Sequence, residues 1–312
     1  MNDAARDFLF DLLNTPSPTG FETPGQRVWA DFVRRHADRV ESDAYGTAWA
    51  TLEGTGGDDA PRLMLDAHVD EIGFMVRHVT DEGFIYVDRI GGSDRAIARG
   101  LRVRILGDDG PVLGVVGNTA IHLRDRDEEK VPNIHELFVD IGAKSADEVA
   151  ARGIRVGHPM VFDVEAQVLN GSRITARAID NRLGGFIIAQ VMANLAKERP
   201  ACTVLATNSV QEEIGGNGAQ MIAHRLNPDV AVAFDVTHAT DSPGISATEH
   251  GKIEMGKGPT VTHGTANHPK VVERLMAVAE AEGIPLQHEP SSRRTGTDTD
   301  YIFKTRSGVP SA

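Results

Sequence analysis

Cysteine is all but missing from this chain. One thiol, Cys202, is present among 312 residues, which excludes an internal disulfide. Set in an apolar strand pattern, it reads as a small core residue in a reducing compartment. Basic charge is also in deficit, with 32 lysines and arginines against 45 aspartates and glutamates, a net charge of −13. Nucleic acids and anionic membranes both require basic patches, so no nucleic acid and no membrane is expected as a partner. Long apolar runs are lacking too, and none approaches the roughly 20 residues of a membrane span. The N-terminus, MNDAARDFLFDLL, has neither the basic start nor the unbroken apolar core of a signal peptide. A cytoplasmic chain is the expectation. No strand leads into Gly-x-x-x-x-Gly-Lys-Ser/Thr, so the glycines at 256–258 and 264 read as turns near a site rather than as phosphate loops.

What is present reads as alternating helices and strands. Residues 4–14 form an amphipathic helix stopped by the turn at Thr15–Gly20. Thr23 caps a second helix with Pro24 at its first position. Short strand-like pieces follow near Arg39–Ser42 and Thr47–Glu53, and a polar turn spans residues 54–59. Arg62–Val69 is a mostly apolar run suited to a strand buried on both faces, and it ends in His68-Val69-Asp70. A histidine with a carboxylate two residues on suits metal ligation, because the acid can fix the ring tautomer. From Glu71 to Glu165 the texture changes to short alternating runs between Gly, Asp and charged turns. That pattern predicts a small β-barrel or sandwich, inserted into the first domain. One helical piece interrupts it, opening with the capping-box pattern Ser145-x-x-Glu148, and the charged run Arg124–Lys130 is expected to be an exposed loop.

Beyond the insert, Ile174–Asn181 reads as another strand, ending in Asp180, with a helix after it. The next strand, from Thr203, runs into Glu212 and Glu213 and then into Gly215, Gly216 and Gly218 before a further helix. Asp229–Asp235, DVAVAFD, is a third buried strand with an acid at its carboxyl end. A helix over Pro269–Glu282, a short strand at Pro285–His288 and a polar turn at 295–300 follow. Thus four strand-like segments end in His68, Asp180, Glu212/Glu213 and Asp235. In open α/β sheets that edge is where ligands bind. An imidazole with several carboxylates and no thiolate suits Zn²⁺, Co²⁺ or Mn²⁺. The surplus of carboxylates points to two metals sharing a bridging acid, with a water activated between them.

These segments also carry a family resemblance. LDAHVDEIGFMV (65–76), LFVDIGAKSADEV (137–149), ITARAIDNRLGG (174–185), VQEEIGGNGA (210–219), AFDVTHATD (233–241) and GTDTD (296–300) resemble, in order, the dinuclear-metal aminopeptidases. That group includes the tetrahedral aminopeptidases, glutamyl aminopeptidases and some proteins labelled endoglucanases. The resemblance implies an α/β fold, a phosphorylase/hydrolase-like mixed sheet flanked by helices. Residues 1–70 and 166–312 would form this catalytic domain, and 71–165 the inserted β-rich dimerisation domain. It implies that His68 binds one metal while Asp70 orients it, that Asp180 bridges both metals, and that Asp235 completes the first site. Glu213 would bind the second metal, and Glu212 would be the general base. Two divalent ions per subunit, zinc or cobalt, are the implied cofactors.

The implied substrates are short peptides with a free N-terminus, and the implied assembly is a homo-oligomer whose dimers build a dodecamer. Family members continue past the equivalent of Ser307–Ala312 into a strand and a histidine completing the second metal site. This sequence ends before that histidine, so either it is cut short, the simpler explanation, or the second metal is weakly held, with His238 and His263 as weak stand-ins and His288 out of position. The alternatives are a related amide hydrolase or deacylase on a small metabolite, and a non-catalytic oligomeric relative. A glycosidase fits less well, because glycoside hydrolysis needs no metal. His238, Arg293 and Arg294 are candidates for biasing selectivity toward acidic residues.

Overall fold

The structure, a computed structural model, describes residues 1–57, 59–124 and 130–312. Asp58 and residues 125–129, the greater part of the expected loop at Arg124–Lys130, lie outside the described residues. The chain forms two compact units. One gathers Met1–Leu12, Gly25–Val69 and Ile179–Ala312, and the other Leu13–Pro24 and Asp70–Ala178.

The first unit holds most of α1 (Asp3–Asn14) and α2 (Thr23–Val33), followed by β1 (Arg39–Ser42), β2 (Ala48–Leu52) and β3 (Arg62–His68). The second unit contains β4 (Gly73–Val79), β5 (Ile85–Ile90), α3 (Arg95–Ala98), β6 (Arg102–Gly107), β7 (Gly110–Val116), β8 (Phe138–Asp140), α4 (Ala146–Ala151) and β9 (Pro159–Phe162). Its strands close into a barrel in the order β4-β5-β8-β7-β6-β9. Closure removes the exposed edges that short strands otherwise present. Alternate residues such as Phe74, Val76, Ile85, Val87, Val103, Ile105 and Met160 fill the interior, the period-2 pattern visible in the sequence. At α4 the Ser145 hydroxyl accepts from Glu148 N, but the Glu148 carboxylate reaches back to Lys144 N rather than to the cap residue's own amide.

A hairpin of β10 (Gln167–Leu169) and β11 (Arg173–Thr175) ends the second unit. This unit is larger than the insert expected at 71–165. Asn14 Oδ1 accepts from Ala166 N, and Arg177 Nη1 lies 2.6 Å from Glu71 Oε2, so both flanks of the barrel join it.

The first unit resumes with α5 (Ile179–Leu195), β12 (Thr203–Ser209), α6 (Asn217–Leu226), β13 (Val230–Ala233), α7 (Ala247–His250), β14 (Thr260–Gly264), α8 (Pro269–Ala281), β15 (Gln287–Ser291) and α9 (Thr299–Ile302). Its main sheet runs β1-β2-β12-β3-β13, with β12, β3 and β13 mutually parallel and β1 and β2 antiparallel. Successive residues along these strands alternate between two cores. Ala50, Leu52, Leu65, Ala67 and Val204 pack with Trp29, Val33, Ile188 and Met192. Trp49, Met64, Leu205 and Ala231 pack with Ile222, Leu226 and Ile302. The unit is thus a mixed α/β sheet with helices on both faces, which is why its parallel strands read as unbroken apolar runs. Gly264, expected as a turn, ends β14, where an added Cβ would come within 2.0 Å of Ser291 O. Among the described residues no helix is long and apolar enough to cross a membrane.

One expected strand is absent. The segment leading to Asp180 does not join the main sheet: β11 ends at Thr175 and pairs with β10 instead. Ala178 then adopts a left-handed backbone, with φ of 58°, a conformation no strand continues through.

Candidate active site

His68 closes β3 and is almost wholly buried, at 1% exposure. Its Nε2 lies 3.1 Å from Asp180 Oδ1, 3.8 Å from Glu212 Oε2 and 3.9 Å from Asp235 Oδ1. Among the described residues, His68, Asp180 and Asp235 are the one group of three or more His, Cys, Asp or Glu whose ligand atoms all lie within 4.8 Å of one another.

Each side chain has a local reason for its place. Asp180 and Asn181 precede the regular turns of α5, with ψ of 108° and 38°. Asn181 does the capping: its Oδ1 accepts from Gly184 N at 3.1 Å, and its amide donates to Phe234 O at 2.7 Å. The Asp180 carboxylate is thereby left for the site, and its side chain is 56% exposed. Gly184 lets α5 lie tight on β3, since an added Cβ would come within 2.9 Å of Ala67 Cβ. Glu212 lies in the turn between β12 and α6. That turn is closed by Gly215 N to Glu212 O at 2.8 Å and Gly218 N to Val210 O at 3.0 Å. Gly216 caps α6 with φ of 59°, against the Tyr301 ring, where an added Cβ would fall within 2.1 Å. Asp235 follows β13, and its Oδ1 accepts from Val236 N at 2.8 Å.

Beneath this group lie two acids that sequence reasoning passed over, Asp66 on β3 and Asp298 before α9. Both are buried, at 0% and 2% exposure. The Ser209 hydroxyl donates to Asp298 Oδ2 at 2.6 Å and lies 3.4 Å from Asp66 Oδ2, while Thr207 Oγ1 donates to Asp66 Oδ1. Asp298 Oδ1 is buried with no hydrogen-bond partner. The signals were available: Asp66 interrupts an apolar strand, and Asp298 sits inside GTDTD. Nothing in the spacing alone aims either residue toward His68.

The electrostatics ask for a cation. Burial pushes Asp235 up to about 7, and the charges of Asp180 and Asp298 add to that against the pull of His68. Burial holds both Asp66 and Asp298 above the usual carboxylate range, with the charge of Asp66 adding to it at Asp298. Carboxyl groups that crowd until they hold protons near neutrality bind a divalent ion in preference to remaining charged alone. One imidazole with two carboxylates and no thiolate is a donor set for a borderline divalent metal, so the residues fit one.

The other expected residues fall in several places. Glu213 lies in the turn beside Glu212 but is not among the three converging groups. Asp70 belongs to the second unit, where its Oδ2 accepts from Thr19 Oγ1 at 2.7 Å; its orienting role stays an implication of the resemblance. His263 Nε2 lies 2.9 Å from His288 Nδ1 in an exposed pair on β14 and β15, outside the converging group. His238, Arg293 and Arg294 are exposed.

Comparison with known proteins shows what the whole chain is similar to. Residues 46–312 match the family described as M42 glutamyl aminopeptidase. The chain is 33% identical over 311 residues to a lysyl aminopeptidase of Pyrococcus furiosus, covering 98% of this chain and 87% of that one. An aminopeptidase from the archaeon Desulfurococcus kamchatkensis superposes with a TM-score of 0.92 at 34% identity, covering 99% of this chain and 85% of its own. The TET1 peptidase of Pyrococcus horikoshii, described as assembling into a tetrahedron or a large octahedral shell, superposes at 0.84 with 26% identity, over 97% and 88% of the two chains.

Proposed function

From the premise that the chain belongs to the M42 glutamyl aminopeptidase family, whose metal-dependent aminopeptidase activity it shares, we propose that it removes N-terminal residues from short peptides with two divalent ions, zinc or cobalt, held at the end of the main sheet. The observation carrying this reading is the convergence of His68, Asp180 and Asp235, with Glu212 3.8 Å from His68 Nε2.

In this reading His68, Asp180 and Asp235 would hold the first ion, and Asp180 and Glu213 would hold the second. Bound there, the ions would polarise the scissile carbonyl and lower the pKa of the attacking water. Glu212 is the general base. Its side chain is only 12% exposed, so its carboxylate meets little competing solvent, and it lies outside the converging group of three. It passes the water's proton to the leaving amine.

The substrate's free N-terminus is anchored by site carboxylates. The chain assembles as a homo-oligomer, with the barrel as a dimerisation surface and the dimer as the unit of a larger shell. The exposed apolar residues Leu113, Val115 and Val156 of the barrel unit, at 53%, 43% and 59% exposure, support a covered surface there.

The test is chelation followed by zinc or cobalt reloading, scored on a panel of short peptides with free and acetylated N-termini. Turnover lost on chelation, regained on reloading and confined to free N-termini is the expected result. Turnover that persists without metal, or that ignores acetylation, would sink the reading.

A further inference from the structure

Ser209 brackets His68. The two are register partners across β12 and β3. The Ser209 carbonyl accepts from Val69 N at 2.9 Å, and its hydroxyl oxygen lies 3.2 Å from Ala67 O. The residues on both sides of the imidazole are therefore referred to one serine. That hydroxyl has a single proton, and its shortest contact, 2.6 Å to Asp298 Oδ2, takes it.

Asp298 is itself held rigidly. Asp300 closes the turn, accepting from Thr295 N and Gly296 N at 3.0 Å each. Asp298 O then accepts from Tyr301 N and Ile302 N to start α9. The second carboxylate oxygen, Oδ1, is buried and has no partner.

We propose that Asp298 is a positioning residue for the cation site: it grips Ser209, which fixes where β3 presents His68, and it does not bind the ion itself. The inference rests on the reading that His68, Asp180 and Asp235 hold the ion. Outer groups that orient a ligating histidine characteristically change metal affinity by about 10–100-fold.

The experiment is a titration of metal-free protein with Co²⁺, read by visible absorption and by chelator competition, for wild type, Asp298→Asn and Ser209→Ala, with thermal melts of each metal-free protein. The expected result is Co²⁺ affinity reduced about 10–100-fold in Asp298→Asn and by a smaller factor in Ser209→Ala, with altered absorption bands in both. Ser209→Ala removes one oxygen, so it keeps the test open if Asp298→Asn folds poorly. Affinity within twofold of wild type in whichever variant folds, with only the melting temperature lowered, overturns the inference by leaving Asp298 a purely structural brace. A wild type that takes up no Co²⁺ overturns the underlying reading, and the inference with it.

Discussion

In the barrel unit Asp163 sits between Arg104 and Arg102, at 2.6 and 3.6 Å, Asp108 meets Arg155 and His158 at 3.3 and 3.2 Å, and buried Glu71 meets Arg177 at 2.6 Å. At the end of the main sheet Asp66, Asp235 and Asp298 crowd around one imidazole, and Asp298 keeps an oxygen with no partner. Paired charge is what a fold needs for itself. Crowded acid that holds protons near neutrality costs stability and serves a ligand the fold does not contain. The barrel is built to be stable, and the sheet end is built to bind.

Substitutions sharpen that contrast. The largest expected effect is at Asp180: Asp180→Ala should lose both the bound divalent ion and all but about a hundredth or less of turnover, measured by metal analysis and peptide assay. Asp163→Ala in the barrel should leave metal content and turnover unchanged while lowering stability by about 1 kcal/mol, read by denaturant unfolding. If Asp163→Ala also emptied the metal site, the division between the two regions would fail.

Next in size is a pH effect on metal-free protein. Asp235 has a folded pKa of about 7, against about 3.9 for an unfolded aspartate. The folded state then binds that proton more tightly, so stability falls as pH rises from about 4 to about 7. Thermal melts in chelator across pH 5–7.5 should show this loss, and Co²⁺ should abolish it. Asp38 has the opposite sign. The Arg199 side-chain bond holds it at about 2, so its contribution is lost only as pH falls from about 4 to about 2. The smallest effect is expected at that surface pair, where Arg199→Ala should leave stability at neutral pH nearly unchanged.

Much of this was legible in the sequence because parallel buried strands leave a plain trace. The runs ending in His68 and Asp235, and the turn carrying Glu212, announce both the sheet and its binding edge. The barrel's short alternating strands do the same. Asp180 is instructive because a residue that meets His68 was reached through a wrong element. Its apolar approach, ITARAID, looks like a strand, and a single left-handed backbone at Ala178 breaks it without any compositional mark. Asn181, not Asp180, caps the helix, because capping depends on dihedral angles that adjacent polar residues do not reveal. Asp66 and Asp298 are 232 residues apart in the chain, and only the fold brings both to Ser209. Lone acids in a strand and in a polar turn carry no sign of that meeting.

The central claim is that metal binding and proton transfer at the sheet end are separate tasks, held by different residues. The most direct measurement is metal content per chain, together with release of N-terminal residues from short peptides, for wild type and Glu212→Gln. The account predicts bound divalent metal in both proteins and turnover lower by about 10²–10⁴-fold in the variant. Metal lost from Glu212→Gln would make Glu212 a ligand, and unchanged turnover would remove it from the chemistry; either result contradicts the account.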